Sequence, residues 1–484
     1  MTFSRLNKNP VAWYSTGTIL RQLTAFIMLP VYTQYLSPAE YGIVGFLAVI
    51  LGIYELFLGA RFGMALPKFF YDKDTSEERH RLVSSALVAT AAASILGTLL
   101  FALSSRPLAT HFFERPDLSL ALAAYGITLL SSSVEEYTLV FLRLRDKPFF
   151  FFILSIVKLM LQVGLNLYFL IVQDLGVAGV IYGNVVASII MATVSGVYTY
   201  GICGWHCDWA QIKALVLFTW PMWLSGIAAV YISFMTNFLL KHFASLEEVG
   251  LFHFGQKFAT LIALLLWRPF NQWWQTERFK VAKSSDNPQK AFATAFVLIL
   301  SIMCIGAYGI SIFSGSVIEL MADPSYLAAA AVIPIMCFSV MSAHLGLFFN
   351  FPFLKTSKTG YFPKLKFSRA IILTFLMWWF TSEWQLLGAV VAIFTCQLLE
   401  LLALYILGQR LYDQGIPVKI SLLIAGATVA SIILTKHFVN ASLSFWIRNG
   451  YFILATIVFF AVLSGILFGL TRHGKHIRKF VSKP

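Results

Sequence analysis

The sequence predicts an all-α, polytopic membrane protein with about fourteen transmembrane helices. Three observations carry that reading: an apolar composition, recurrent runs of spanning length, and a lopsided distribution of Lys and Arg. Hydrophobic residues make up 58% of the chain and charged residues 12%, with a mean hydropathy of +0.77, far from the balance of a soluble domain. About 20 helical apolar residues cross roughly 30 Å of hydrocarbon. Runs of that order lie near 10–35, 41–66, 82–104, 118–142, 149–172, 176–200, 214–240, 249–270, 291–313, 325–351, 367–382, 384–407, 418–436 and 448–470; we number them spans 1 to 14. The connections are short, polar or Gly/Pro-containing, and too small to hold a folded domain outside the membrane.

Orientation follows from the basic residues, because cytoplasmic loops retain Lys and Arg. With the N-terminus inside, the inner segments hold 27 of the 36 Lys and Arg residues, the outer loops hold 5 (Arg106, Arg115, Lys241, Lys436 and Arg448), and 4 fall inside spans. The alternation persists through all the spans, so both termini are predicted to be cytoplasmic. It also accounts for the net charge of +14: the charge belongs to many short inner loops, with no nucleic-acid-binding motif beside it. The basic tail Arg472, Lys475, Arg478, Lys479 and Lys483 reads as a topology anchor. The first apolar stretch is long, contains Arg21 and lacks a small-residue cleavage site, so it reads as span 1 rather than as a cleaved signal.

An internal repeat organises the chain. Tyr35-Leu-Ser37-Pro-Ala-Glu40-Tyr-Gly42-Ile-Val-Gly-Phe46 recurs as Phe243-Ala-Ser245-Leu-Glu-Glu248-Val-Gly250-Leu-Phe-His-Phe254, with Ser, Glu, Gly and Phe at identical spacing. Ser followed three residues later by Glu is the capping-box signature of a helix start. Each copy joins an outward-going span to an inward-going one, which makes the copies parallel repeats. Two six-helix lobes follow, 1–205 and 206–410, with spans 13 and 14 and a basic tail over 411–484.

Four cations stand where hydrocarbon disfavours them: Arg21, Arg61, Lys158 and Lys257. Ionised side chains inside spans cost several kcal/mol and normally face a bundle interior or a wet cavity. Lys158, Gln162 and Asn166 fall at i, i+4 and i+8 and form one polar stripe on span 5. A second stripe on span 1 includes Arg21 and Thr24, and a third on span 8 comprises His253, Lys257 and Thr260. Stripes from both lobes are expected to face a shared cleft suited to an anionic cargo. Competing structural readings are snorkelling of Arg61 and salt bridges from Glu55, Glu135, Glu136 or Glu400, carboxylates that are equally candidates for coupling to H⁺ or Na⁺ entry. No cofactor is expected. Cys203, His206 and Cys207 lack a fourth ligand and the paired spacing of a zinc site, so no metal is expected either.

The stretch Arg21-Gln-Leu-Thr-Ala-Phe-Ile-Met-Leu-Pro30-Val-Tyr-Thr-Gln-Tyr-Leu36-Ser-Pro38-Ala-Glu40-Tyr41-Gly42, followed by Gly59-Ala-Arg61-Phe-Gly63-Met-Ala-Leu-Pro-Lys68 and the charged loop Asp72 to Arg81, resembles the N-terminal signature of polysaccharide (O-antigen-type) flippases. These form the polysaccharide-transporter branch of the multidrug/oligosaccharidyl-lipid/polysaccharide (MOP) superfamily. The resemblance implies an inner-membrane protein of bacteria that moves undecaprenyl-diphosphate-linked oligosaccharide to the outer leaflet by alternating access, for O-antigen, lipopolysaccharide or other surface polysaccharide biosynthesis, beside a polymerase or glycosyltransferase complex. It also implies cavity cations at Arg21, Arg61 and Lys257, with Lys in place of the family's usual Arg on span 8; Lys158 has no counterpart there.

Two other functions fit the same setting. A multidrug/cation antiporter of the superfamily would favour an acidic cavity, whereas mid-span cations dominate here. A membrane glycosyltransferase, polymerase or ligase acting on lipid-linked sugars would need a sizeable outer loop or a catalytic carboxylate or metal constellation, and no such motif stands in the sequence.

Overall fold

A computed structural model describes Trp13, Gly17 and residues 26–58, 62, 65–284, 286–439 and 444–473. The described residues form helices joined by short connections, with no strand among them. Among the described residues, eleven helices are long and apolar enough to cross a membrane. The chain divides into two compact units, one of Met1–Phe238 with Ser245–Gly250, the other of Leu239–Ala244 with Leu251–Pro484.

The first unit begins with α1 (Leu29–Tyr35), α2 (Pro38–Leu58), α3 (Leu66–Tyr71) and α4 (Ser76–Pro107), and continues through α5 (Ser119–Tyr125), α6 (Ile127–Leu144), α7 (Pro148–Leu167) and α8 (Gly176–Cys203). Next come α9 (Trp209–Phe243) and α10 (Leu246–Ile262). Local chemistry sets the starts. Proline stands at the first helical position of α2 and α7, where its missing N–H has no intrahelical partner to lose. Thr75 and Glu78 form a reciprocal capping box at the start of α4. The π-helical turns Leu108–Phe112 and Tyr168–Val172 end α4 and α7.

Both copies of the repeat cap a helix, as the spacing predicts. The Ser37 N–H donates to Glu40 Oε2 at 3.0 Å, and the Glu40 N–H donates to Ser37 Oγ at 3.3 Å. At the second copy the Glu248 N–H donates to Ser245 Oγ at 3.2 Å. The glycines of the motif have a separate task within the first unit. A Cβ on Gly42 would overlap the Leu246 carbonyl oxygen, and one on Gly250 would overlap that of Pro38. The first turns of α2 and α10 therefore meet backbone to backbone, which only glycine permits.

One apolar core of this unit gathers Phe62, Leu66, Leu82, Phe141 and Leu215, with Tyr137 accepting from the Phe62 N–H through its hydroxyl at 2.9 Å. The loop after α8 is tied to α4: Ser84 Oγ donates to the Gly204 carbonyl at 2.8 Å and accepts from the His206 N–H at 2.9 Å. His206 and Cys203 thus serve a helix-to-helix turn, with Cys203 buried and Cys207 exposed.

In the second unit α10 runs on through a π-helical turn, Ala263–Trp267, into α11 (Arg268–Ser284), followed by α12 (Pro288–Met321), α13 (Ile333–Phe348) and α14 (Phe351–Lys355). Then come α15 (Tyr361–Leu411), α16 (Val418–Phe438) and α17 (Phe445–His473). Stacked and edge-on rings join them: Trp274 lies 5.4 Å from Phe348 and 5.2 Å from Phe292. The 51-residue α15 is interrupted at Gln385, whose φ is 48° and ψ −126°. Arg369 and Glu400 show what the break does. In a continuous helix 31 residues would span about 46 Å, yet their side chains meet at 2.8 Å. The chain doubles back, and α15 supplies the two spans expected at 367–382 and 384–407. Gly388 permits the turn, since a Cβ there would overlap the Phe380 carbonyl.

Two expected boundaries differ. The apolar run of span 8 covers 249–270, but the helical path extends to Ser284 because the amphipathic segment after Trp267 continues as α11. Span 10 opens not as α-helix but as a 3₁₀ segment, Pro324–Ala331, after the cap in which Asp323 accepts from the Ser325 N–H.

Candidate intramembrane ion sites

Arg21, Thr24 and Arg61 lie outside the described residues. The other candidates fall into two groups, one in each unit.

In the first unit the stripe on α7 is tied to three neighbouring helices. Lys158 stands ten residues into α7, about 15 Å from its start, and donates to Glu135 Oε2 on α6 at 2.5 Å. The Glu135 side chain is 5% exposed and that of Lys158 25% exposed, so the pair is sheltered but not sealed. A charge this deep is tolerable because its partner neutralises it. One helical turn on, Gln162 Nε2 donates to Asn184 Oδ1 on α8 at 2.8 Å. A further turn on, Asn166 Nδ2 donates to the Tyr32 hydroxyl of α1 at 2.6 Å. Asn166 is fully buried, its Oδ1 has no hydrogen-bond partner among the described residues, and that oxygen occupies the space a Cβ would need at Gly183. Trp13 and Gly17, at the other end of span 1, also pack on α7, against Phe149, Phe152, Phe151 and Ser155. Asn184 and Tyr32 were not anticipated as members of this network; only the match of polar residues on separate apolar spans pointed to them.

Of the remaining carboxylates in this unit, Glu136 is exposed and Glu55 half-buried with an interaction partner. Glu135 and Glu136 are adjacent, and the helical rotation of 100° between them puts one against Lys158 and the other outward.

In the second unit Lys257 lies eleven residues into α10, about 16 Å from its start, and is half-buried. It pairs with no carboxylate among the described residues, in contrast to Lys158 with Glu135 and Arg369 with Glu400. His253 sits one turn before it, in ring contact with Phe252. Thr260 is exposed and its hydroxyl donates to the Lys257 carbonyl at 3.0 Å, so it serves the helix backbone. The span continues into the π-helical turn Ala263–Trp267, a local irregularity of the kind often found at functional sites. Glu400 is held by Arg369, both about one-fifth exposed. Arg278, assigned to an inner loop by the sequence, is 8% exposed and stacks over Phe279 and Phe351.

An all-α polytopic chain with neutralised and unneutralised cations at membrane depth narrows the choice of family. The sequence profile described as "Polysaccharide biosynthesis protein" matches residues 8–272, more than half of the chain. The chain belongs to the polysaccharide biosynthesis protein family. Among solved structures, the lipid II flippase MurJ in an inward closed conformation is similar over 94% of this chain and 99% of its own, with a TM-score of 0.71 at 12% identity. An inward-facing multidrug resistance MATE family transporter of the MOP superfamily is similar over 81% of this chain and 95% of its own, with a TM-score of 0.64 at 14% identity. At such identities the likeness is one of fold, and the fold is that of MurJ and the MATE transporters. No curated protein matches the sequence significantly. Family and fold agree with the resemblance carried by Arg21 to Gly42 and by Gly59 to Lys68.

Proposed function

We propose that the protein is a flippase that carries undecaprenyl-diphosphate-linked oligosaccharide from the cytoplasmic to the outer leaflet of a bacterial inner membrane by alternating access, for surface polysaccharide biosynthesis such as that of O-antigen and lipopolysaccharide. The observation that supports it best is Lys257: a cation at mid-span, half-buried, with no carboxylate partner among the described residues. A cation kept unneutralised in hydrocarbon needs an anion to serve, and a diphosphate supplies two charges. Lys and Arg offer phosphate oxygens charge-assisted hydrogen bonds, which offset a desolvation cost of tens of kcal/mol for a bare ion. Arg21 and Arg61 are the proposed companions. Lys158 belongs to the same proposal only through the exposed quarter of its side chain, because its charge is balanced by Glu135.

An inside-negative potential favours outward movement of the anion by about 2.3 kcal/mol per elementary charge per 100 mV. Entry of H⁺ or Na⁺ would add to this, with Glu55, Glu135, Glu136 and Glu400 as the candidate groups. Partners would include membrane lipids and a polymerase or glycosyltransferase complex.

Replacing Lys257 with Ala is expected to abolish export of the lipid-linked glycan while the protein stays in the membrane at normal levels, and Lys257→Arg is expected to restore it. Surface glycan measured in cells lacking the native copy is the readout. Undiminished export by Lys257→Ala would refute the cation assignment, and drug efflux by the native protein without glycan export would favour the antiporter reading.

A further inference from the structure

Among the described residues, Arg278 on α11 is the only buried Lys or Arg. Its guanidinium lies over Phe279 and Phe351, 5.4 and 5.8 Å from the ring centres, and forms no ion pair or hydrogen bond among the described residues. The Nε is shut in without a partner, whereas the two terminal nitrogens are not enclosed and stay open to a ligand. Acids close by in sequence or packing are engaged elsewhere: Glu277 pairs with Lys280 at 3.6 Å, and Asp413 accepts from Gln289 Nε2 and the Gly415 N–H. The dipole of α11 offers little, because Arg278 stands more than a turn before the helix ends at Ser284 and that effect is confined to the last turn. Ring faces return about 0.5–2 kcal/mol to a cation, less than the several kcal/mol that taking an ion out of water costs. A guanidinium held this way, with its terminal N–H groups unused, fits an oxyanion, and its planar fork matches phosphate.

A second cation attends the same group of rings. Lys355 follows Phe351 by four residues on α14, on one helix face, and its Nζ lies 3.6 Å from the centre of the Tyr412 ring, which packs on Phe351 at 5.7 Å. Lys355 is exposed and has no ion pair among the described residues. Each cation also has an exposed apolar neighbour in the chain, Phe279 beside Arg278 and Leu354 beside Lys355. Exposed Trp273 on α11 marks the level of the membrane interface, and Lys355 opens the basic segment that the sequence assigns to the inner side. A soluble phosphate has no use for an apolar flank; a lipid phosphate does. A headgroup with its own ammonium would bring a third cation to two that lack a carboxylate, so the arrangement favours a headgroup of net negative charge.

We propose that Arg278 and Lys355 seat the phosphodiester of an anionic glycerophospholipid of the inner leaflet, the terminal nitrogens of Arg278 donating to its oxygens, Lys355 adding a second contact, and the acyl chains running along Phe279 and Leu354. The site is separate from Lys257 and does not depend on what the protein transports.

The test is native mass spectrometry of the detergent-solubilised full chain with phosphatidylglycerol and phosphatidylethanolamine of the same acyl chains. The native protein is expected to retain phosphatidylglycerol in preference. Arg278→Met, which keeps the length of the buried stem, is expected to lower that retention about tenfold, as for loss of a hydrogen bond to a charged group, and to leave phosphatidylethanolamine unaffected. Lys355→Met is expected to lower it as well, and because Lys355 is exposed this variant decides the matter even if Arg278→Met fails to fold. Lys283→Gln, which removes an exposed charge from the same helix as Arg278, is expected to behave as the native chain. Undiminished retention by Arg278→Met or Lys355→Met would overturn the assignment, and so would an equal loss in Lys283→Gln, since the lipid would then answer only to diffuse charge. Glycerol 3-phosphate separates a lipid from a soluble phosphate ester: if it raises the melting temperature of the native protein as much as phosphatidylglycerol does, and not that of the variants, the lipid assignment falls.

Discussion

Lys158 and Lys257 are the same residue type, each about 15 Å from the start of its own helix, and their surroundings give them different physics. Lys158 is answered by a carboxylate that is almost fully buried; removing either partner strands a charge in the bundle, whereas removing both leaves an apolar contact. Lys158→Met or Glu135→Leu alone is thus expected to lower stability by about 3–5 kcal/mol, with the double substitution returning near the native value in a denaturant titration of the purified protein. A double variant as unstable as the sum of the singles would show that the two side chains act on something other than each other. Glu136→Leu, one residue along and exposed, is expected to change stability little. No pattern in the sequence distinguishes these adjacent glutamates, because the choice depends on how α6 is rotated against α7.

At the scale of helices, glycine decides where backbones touch. Gly42 and Gly52 share α2, but a Cβ at Gly42 would overlap the Leu246 carbonyl, while one at Gly52 meets nothing within 4 Å. Gly52→Ala is expected to stabilise by up to about 1 kcal/mol through helix propensity. Gly42→Ala is expected to reduce the yield of folded protein sharply, as is Gly250→Ala, and fluorescence-detected size exclusion of the three variants gives the comparison; a well-folded Gly42→Ala would mean that the close approach of α2 and α10 is dispensable. These contrasts show what the sequence reveals and what it withholds. Spanning length is a property of one segment, so the spans were legible, including the pair within α15 that parts at Gln385. The capping box at Ser37 and the serine cap at Ser245 were legible for the same reason. Partners across helices were not: Asn166 with Tyr32, Gln162 with Asn184 and Lys158 with Glu135 each require knowing which faces meet, and a polar stripe alone fits a cavity wall as well as an interhelical hydrogen-bond network.

For the whole molecule the outstanding physical statement is orientation, which helix packing does not determine, since a bundle is equally stable viewed from either side. The asymmetry of 27 inner against 5 outer basic residues acts during insertion, when translocating Lys and Arg against the membrane potential is disfavoured. On that basis we expect the loop between α8 and α9 to lie inside, along with both termini. That loop carries a natural reporter. Cys207 is exposed, whereas Cys203, Cys304, Cys337 and Cys396 are buried, and thiolates react with maleimides only where reagent and water reach them. A membrane-impermeant maleimide is therefore expected to label the native protein once per chain in inside-out vesicles, to leave it unlabelled in intact spheroplasts, and to lose its target in Cys207→Ser. Labelling from the outside would invert the predicted topology. The direction matters for the proposed function because a cargo taken up from the cytoplasmic leaflet must meet the protein's inner face first; the inside-negative potential itself favours outward movement of an anion whichever way the protein is inserted.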